Sequence, residues 1–191
     1  MKRINIIGTT GSGKSTLAKA LSEQMDYPYV QMDQLFWKPN WQETSDEDLF
    51  SKLTKALSDE TWVLDGNFSR TNELKWDRVD TIIWLDFGYI RTLCQLVKRT
   101  IVRAISRQEL WPGTGNKESF FKTFMTKDSI LVWFIRSYHK NRIKYSELMR
   151  STEYSHIEMI RLKSPSEIQN FIKQVHSRSL KSTSPPFDDL G

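Results

Sequence analysis

The chain has 191 residues, with 28 Lys and Arg against 23 Asp and Glu, for a formal net charge of +5. That length suits one domain, and 38% hydrophobic with 12% aromatic residues is too apolar a composition for intrinsic disorder. A lone cysteine, Cys94, excludes an internal disulfide framework and a multi-cysteine metal site, and no apolar run nears the roughly 20 residues a membrane span needs. Met1-Lys2-Arg3 is followed by too short an apolar run for a signal peptide, so a cytoplasmic protein with no membrane partner is expected. The charge is uneven: residues 91–150 hold 13 Lys/Arg and 4 Asp/Glu, a local excess that suits either an anionic partner or a solvated helix surface.

In chain order, Arg3–Ile7 reads as a strand broken by Gly8-Thr9-Thr10-Gly11-Ser12-Gly13, and Lys14 to Met25 as a helix with Leu17, Ala18 and Leu21 at helical spacing. Pro28 ends that unit, and Tyr29–Met32 reads as a strand closing at Asp33. Ser45 before Asp46-Glu47-Asp48 marks a helix start with acids in its first turn. Trp62-Val63-Leu64 and Thr81–Leu85 read as strands, and a basic helix is expected from about Tyr89 to Gln108. A loop at Trp111–Asn116 precedes helical material to about Arg150, a strand at His156–Leu162 and a helix at Pro165–His176. From about Ser177 the Ser/Lys/Pro-rich composition predicts a flexible tail, 177–191. Five short strands alternating with helices predict an α/β protein with a parallel sheet between two helix layers.

Gly8 through Ser15 matches G-x-x-x-x-G-K-[ST], placed between a strand and a helix as that motif requires. Gly8, Thr9, Thr10, Gly11, Ser12 and Gly13 would wrap backbone N–H groups around a phosphate, aided by the helix N-terminus. Lys14 would reach the β- and γ-phosphates, the Ser15 hydroxyl would bind Mg²⁺, and Thr16 would cover the next position. ATP and Mg²⁺ are therefore the expected ligands. No N-K-x-D-like guanine-reading segment appears, and the compact length favours a small-molecule kinase. Trp37 and Trp41, with Phe36, would either cover the acceptor or pack their segment onto the core. Arg99, Arg103 and Arg107 recur every four residues and so share one helix face.

Val63-Leu64-Asp65-Gly66-Asn67-Phe68-Ser69-Arg70-Thr71 resembles the D-G-F-P-R-T segment of adenylate kinases, with Asn67-Phe68-Ser69 in place of Phe-Pro. Over residues 1–176 the order of elements is similar to that of nucleoside monophosphate kinases. A closer resemblance, carried by Met32–Trp41, Leu64–Phe68, Glu109–Gly113 and Asn116–Ser119, is to the adenylate-kinase-related proteins labelled DNA topology modulation proteins. The resemblance implies a three-layer P-loop NTPase fold with an acceptor-cover segment at about 34–60 and a lid at about 103–120. It implies that Asp65 holds Mg²⁺ or orients the acceptor, and that Arg70 grips an anionic group on it. Related kinases acting on alcohols carry an acid at the position of Asp33, which would position or deprotonate a hydroxyl; a turn aspartate is the alternative. Arg99 and Arg103 would stabilise the transferring phosphoryl group, with Arg107, Arg136 or Arg142 completing the clamp. The expected protein is a monomeric or homodimeric kinase for a nucleoside, nucleotide or similar small acceptor. The alternative is a nucleic-acid-associated ATPase binding through the basic helix.

Overall fold

The computed structural model describes residues 1–106, 109–117 and 129–183. Five parallel strands form the sheet: β1 (Arg3–Gly8), β2 (Tyr29–Gln31), β5 (Trp62–Asp65), β6 (Thr81–Leu85) and β7 (Glu158–Leu162), in the order β2-β5-β1-β6-β7. β1 lies at the centre, Ile4 facing Val63 on one side and Thr81 on the other. Its near-continuous apolar run follows from that place, since a central strand has both faces covered.

Alternate side chains feed two cores. On one face Ile4, Ile6, Val63, Ile83 and Leu85 meet Leu17, Ala18 and Leu21 of α1 (Lys14–Met25) and Val175 of a late helix, Pro165–Thr183. On the other, Ile7, Leu64, Ile82 and Trp84 meet α2 (Met32–Phe36) and Leu49 and Leu53 of α3 (Asp46–Ala56). Trp76 of α4 (Asn72–Trp76) and Tyr145 of a second late helix, Ile130–Leu148, complete that core. Burying each such side chain contributes about 1.5–3 kcal/mol. α5 (Tyr89–Ser106) packs on α6 (Ile130–Leu148) through Leu96, Phe134 and Tyr138, and α7 (Pro165–Thr183) closes the chain against α1. Ser45 caps α3 as expected, its Oγ accepting from the Asp48 N–H at 3.3 Å.

Three boundaries differ from the sequence expectation. α7 runs on to Thr183, past the Ser177 at which a flexible tail was expected, because the apolar face of Ile168, Ile172 and Val175 anchors a helix whose Ser/Lys-rich end simply continues it. Residues 184–191, Arg107, Gln108, Glu118 and Ser119 lie outside the described residues. β2 stops at Gln31, so Asp33 sits in the first turn of α2 rather than at a strand end. Between α2 and α3 a small hairpin forms from β3 (Trp37–Lys38) and β4 (Gln42–Glu43). Among the described residues, no helix is long and apolar enough to cross a membrane.

Lys75 on α4 is fully buried. Its ammonium donates to the carbonyls of Asn67 at 2.6 Å and Phe68 at 3.4 Å, and lies 5.6 Å from the Trp76 ring. Burial, with the nearby Lys144 charge adding to it, pushes its pKa down to about 7. A lowered lysine pKa means that the unfolded chain holds a proton the folded chain sheds between about pH 7 and roughly 10, so stability rises with pH across that window. Urea unfolding from about pH 7 to roughly 9 should show a rising midpoint that Lys75→Met flattens; an unchanged slope in that variant would refute the assignment.

Candidate active site

The Gly8–Ser15 loop joins the end of β1 to α1. Gly13, at φ 94°, occupies the N-cap position of α1 in the left-handed region that suits glycine, with open space where a side chain would stand. Gly11, at φ 82°, presses on α5, and a Cβ there would come within 2.8 Å of the Leu96 Cβ. The loop is fastened from outside by Asn67, whose Oδ1 accepts from the Gly8 N–H at 3.0 Å while its Nδ2 donates to the Gly8 carbonyl at 2.7 Å. Asn5 on β1 adds to the tie by donating to the carbonyls of Leu64 and Gly66, both at 3.2 Å, and accepts from the Trp76 indole at 3.1 Å. Asp65 is thereby held beside the loop, on a strand that pairs directly with β1.

Lys14 folds back so that its Nζ donates to the Thr9 carbonyl at 3.2 Å. Burial lowers its pKa and Arg99 adds to that, while the carboxylates of Asp65 and Asp33 oppose it. Asp33 stands at the exposed rim of the same space. Its pKa is raised by the protein packed around it and by Asp65, against the pull of Lys14, Arg99 and Arg103. The expected Lys14, Asp33, Asp65, Arg99 and Arg103 therefore share one electrostatic environment over the loop. Thr9 and Ser12 are buried within the loop, whereas Ser15 and Thr16 are exposed and Thr10 half-buried.

Tyr29 is a member of the site that sequence reasoning missed. Its hydroxyl donates to Asp65 Oδ2 at 3.2 Å and also engages Ser15, and burial followed by the Asp65 charge raises its pKa. One phenol thus links the hydroxyl and the carboxylate expected to hold Mg²⁺. Hard oxygen donors of this kind fit Mg²⁺. The described residues contain no cluster of three His, Cys, Asp or Glu able to hold a metal by themselves, so phosphate oxygens would complete the coordination.

Other expected residues have partners of their own. Arg70 pairs with Asp46 at 3.0 Å and lies over the Phe36 ring at 4.9 Å. Arg142 binds Asp86 at 3.1 Å, and that buried carboxylate also takes Arg161, whose Nε lies at 3.0 Å. Arg136 is exposed on α6. Trp37 and Trp41 join Trp111 in an aromatic cluster. Cys94 is exposed on α5, and His139 stacks on Tyr89 at 5.9 Å.

Two substitutions test this arrangement. Asn67→Ala should lower stability by about 1–3 kcal/mol and weaken Mg·ADP binding about tenfold, as read by denaturant melts and calorimetric titration. Tyr29→Phe should leave metal-free ADP binding unchanged but raise the Mg²⁺ needed for half-saturation about tenfold, the size expected for a group that orients metal ligands. Equal Mg²⁺ dependence in both proteins would count against that role for Tyr29.

A family profile described as an AAA domain matches residues 4–83, from β1 to the middle of β6. No curated protein matches the sequence. Among solved structures, a shikimate kinase from Bacteroides thetaiotaomicron is similar at 15% identity and a TM-score of 0.53, covering 94% of this chain and 98% of that one. A shikimate kinase from Acinetobacter baumannii in complex with shikimate is similar at 11% identity and a TM-score of 0.53, covering 97% of this chain and 96% of that one. The five-stranded parallel sheet, its flanking helices and the loop at the end of β1 make this an α/β P-loop kinase fold.

Proposed function

We propose that the protein is an ATP-dependent small-molecule kinase that transfers the γ-phosphoryl group to a hydroxyl on a nucleoside, nucleotide or similar metabolite. The observation that carries this reading is the Gly8–Ser15 loop itself, with Lys14 turned onto the Thr9 carbonyl and Asp65 held beside it on the strand next to β1, where the charges of Asp33 and Arg99 also act on Lys14. A carboxylate at that rim would repel a phosphate acceptor but accept a proton from a hydroxyl, which favours an alcohol as the attacking group. The likeness to two structures called shikimate kinases, one of them holding shikimate, is in keeping with that preference.

Backbone N–H groups of Gly11 to Ser15 would cradle the phosphates, and Lys14 would neutralise charge on the transferring group. Ser15 and Asp65 would hold Mg²⁺, which when bound offsets phosphate charge. Arg99 and Arg103 would stabilise charge on the equatorial oxygens, while Asp33 orients the attacking hydroxyl and takes its proton. Positioning and electrostatics account for most of the rate in such a reaction, because phosphoryl transfer asks little covalent chemistry of the protein. The raised pKa of Asp33 increases its basicity at the cost of an acid limb in the rate profile. In this reading Arg99 and Arg103 of α5, whose charges act on Asp33, make the basic middle of the chain a phosphate clamp rather than a nucleic-acid surface.

ADP release should be screened across nucleosides, nucleotides and small hydroxy acids. With the acceptor that turns over, Asp33→Asn should lower kcat by about 10²–10⁴ with little change in the KM for ATP, the range typical of a lost general base. In the native protein kcat/KM should fall as the pH drops through the raised pKa of Asp33, and the variant should lose that limb. Full turnover by Asp33→Asn would remove the role, and a failure of every acceptor to stimulate ADP release would remove the kinase reading.

A further inference from the structure

The loop 109–117 and the β3–β4 hairpin lie far apart in sequence yet are fastened together. Trp111 is only 6% exposed. It stacks on Trp37, ring centres 6.5 Å apart at 19°, and meets Trp41 edge-on at 5.7 Å; Trp41 in turn meets Trp37 at 5.6 Å. Asn116, 2% exposed, adds two directional bonds. Its Oδ1 accepts from the Trp41 N–H at 3.0 Å and its Nδ2 donates to the Lys38 carbonyl at 2.9 Å. The loop holds its own shape through Leu110 N–H to the Asn116 carbonyl at 2.9 Å and a bridge between Glu109 and Lys117.

The hairpin needs this support. Asn40 and Trp41 both sit at φ 60°, and a left-handed backbone is costly for a residue as large as tryptophan. Such a conformation is strained and persists only where its surroundings over-determine it. Here the bond from Asn116 lands on the strained residue itself. At the hairpin's other end Phe36 packs on Trp37 at 4.7 Å, and Asp33 lies one turn earlier in α2.

We propose that Trp111 and Asn116 are positioning residues of the acceptor site, fastening loop 109–117 to the β3–β4 hairpin so that the two move as one cover beside Asp33. The identity of the cover rests on the kinase reading; the fastening does not. The hairpin follows directly on α2, so nucleotide bound beside Asp33 orders hairpin and loop together before any acceptor arrives.

Hydrogen exchange read by mass spectrometry tests this on the full chain, with Mg·AMP-PNP as the probe. In the native protein the probe should slow exchange in segments 37–43 and 109–117 together. Asn116→Ala should speed exchange of 37–43 about tenfold without the probe, leave 62–65 unchanged, and abolish the response of 37–43 to the probe. Asn116→Asp, which sets an acceptor oxygen against the Lys38 carbonyl in a buried place, should not restore that response, whereas Val175→Ala, which loosens the core on the sheet's other face, should leave it intact, as a merely loosened fold would. Unchanged exchange of 37–43 in Asn116→Ala, or protection of 109–117 without 37–43 in the native protein, would overturn the proposal. Should the two segments respond together while no acceptor yields ADP, the kinase reading falls and the fastening stands.

Discussion

A buried ammonium and one asparagine hold the working end of this molecule. Lys75 lies in the apolar layer beneath the loop after β5 and holds the carbonyls of Asn67 and Phe68. The side chain of Asn67 in turn holds both backbone polar groups of Gly8, where the phosphate loop begins. A charge in that position is costly to bury unless its donors are satisfied. The cost is offset by what it organises: two neighbouring strand ends, one bearing the phosphate loop and the other Asp65, are locked in register where their side chains must cooperate. Loss of any link in this relay leaves a buried polar group without its partner, which is why a small lysine–asparagine unit has consequences across the site.

The charges of the site show the same economy. Burial pushes Lys14 toward neutrality, and the carboxylates of Asp65 and Asp33 pull it back. Asp65 accepts from a neutral phenol, Tyr29, while its charge also acts on Lys14. Arginines that are not needed there are taken up elsewhere: Arg142 and Arg161 close on Asp86, and Arg70 on Asp46. The motif's own lysine stays at the loop, its Nζ on the Thr9 carbonyl.

The five strands, the phosphate loop and the capped start of α3 were legible in the sequence because each is a local pattern: β-branched runs, glycine spacing, and a serine before acids. The site was legible to the extent that its residues belong to short motifs, as Lys14, Ser15, Asp65 and Asp33 do. Asn67, Tyr29, Lys75 and Asn116 were not, since each acts through partners tens of residues away and nothing in its own neighbourhood marks it. Asn67 stood out only as a departure from the D-G-F-P-R-T pattern, and its reason became visible with Gly8 alongside it. Arg70 and Arg142 show the converse: a motif or a helix face gives a cation a place but does not say which carboxylate it pairs with.

β2 is three residues long and passes at once into α2. It is also an edge of the sheet, where unpaired backbone groups could recruit a strand from another molecule. By ending so early and turning into a helix, the chain offers little edge to such pairing. The same abrupt turn delivers Asp33 to the mouth of the site, so protection against aggregation and delivery of a chemical group come from one bend in the backbone.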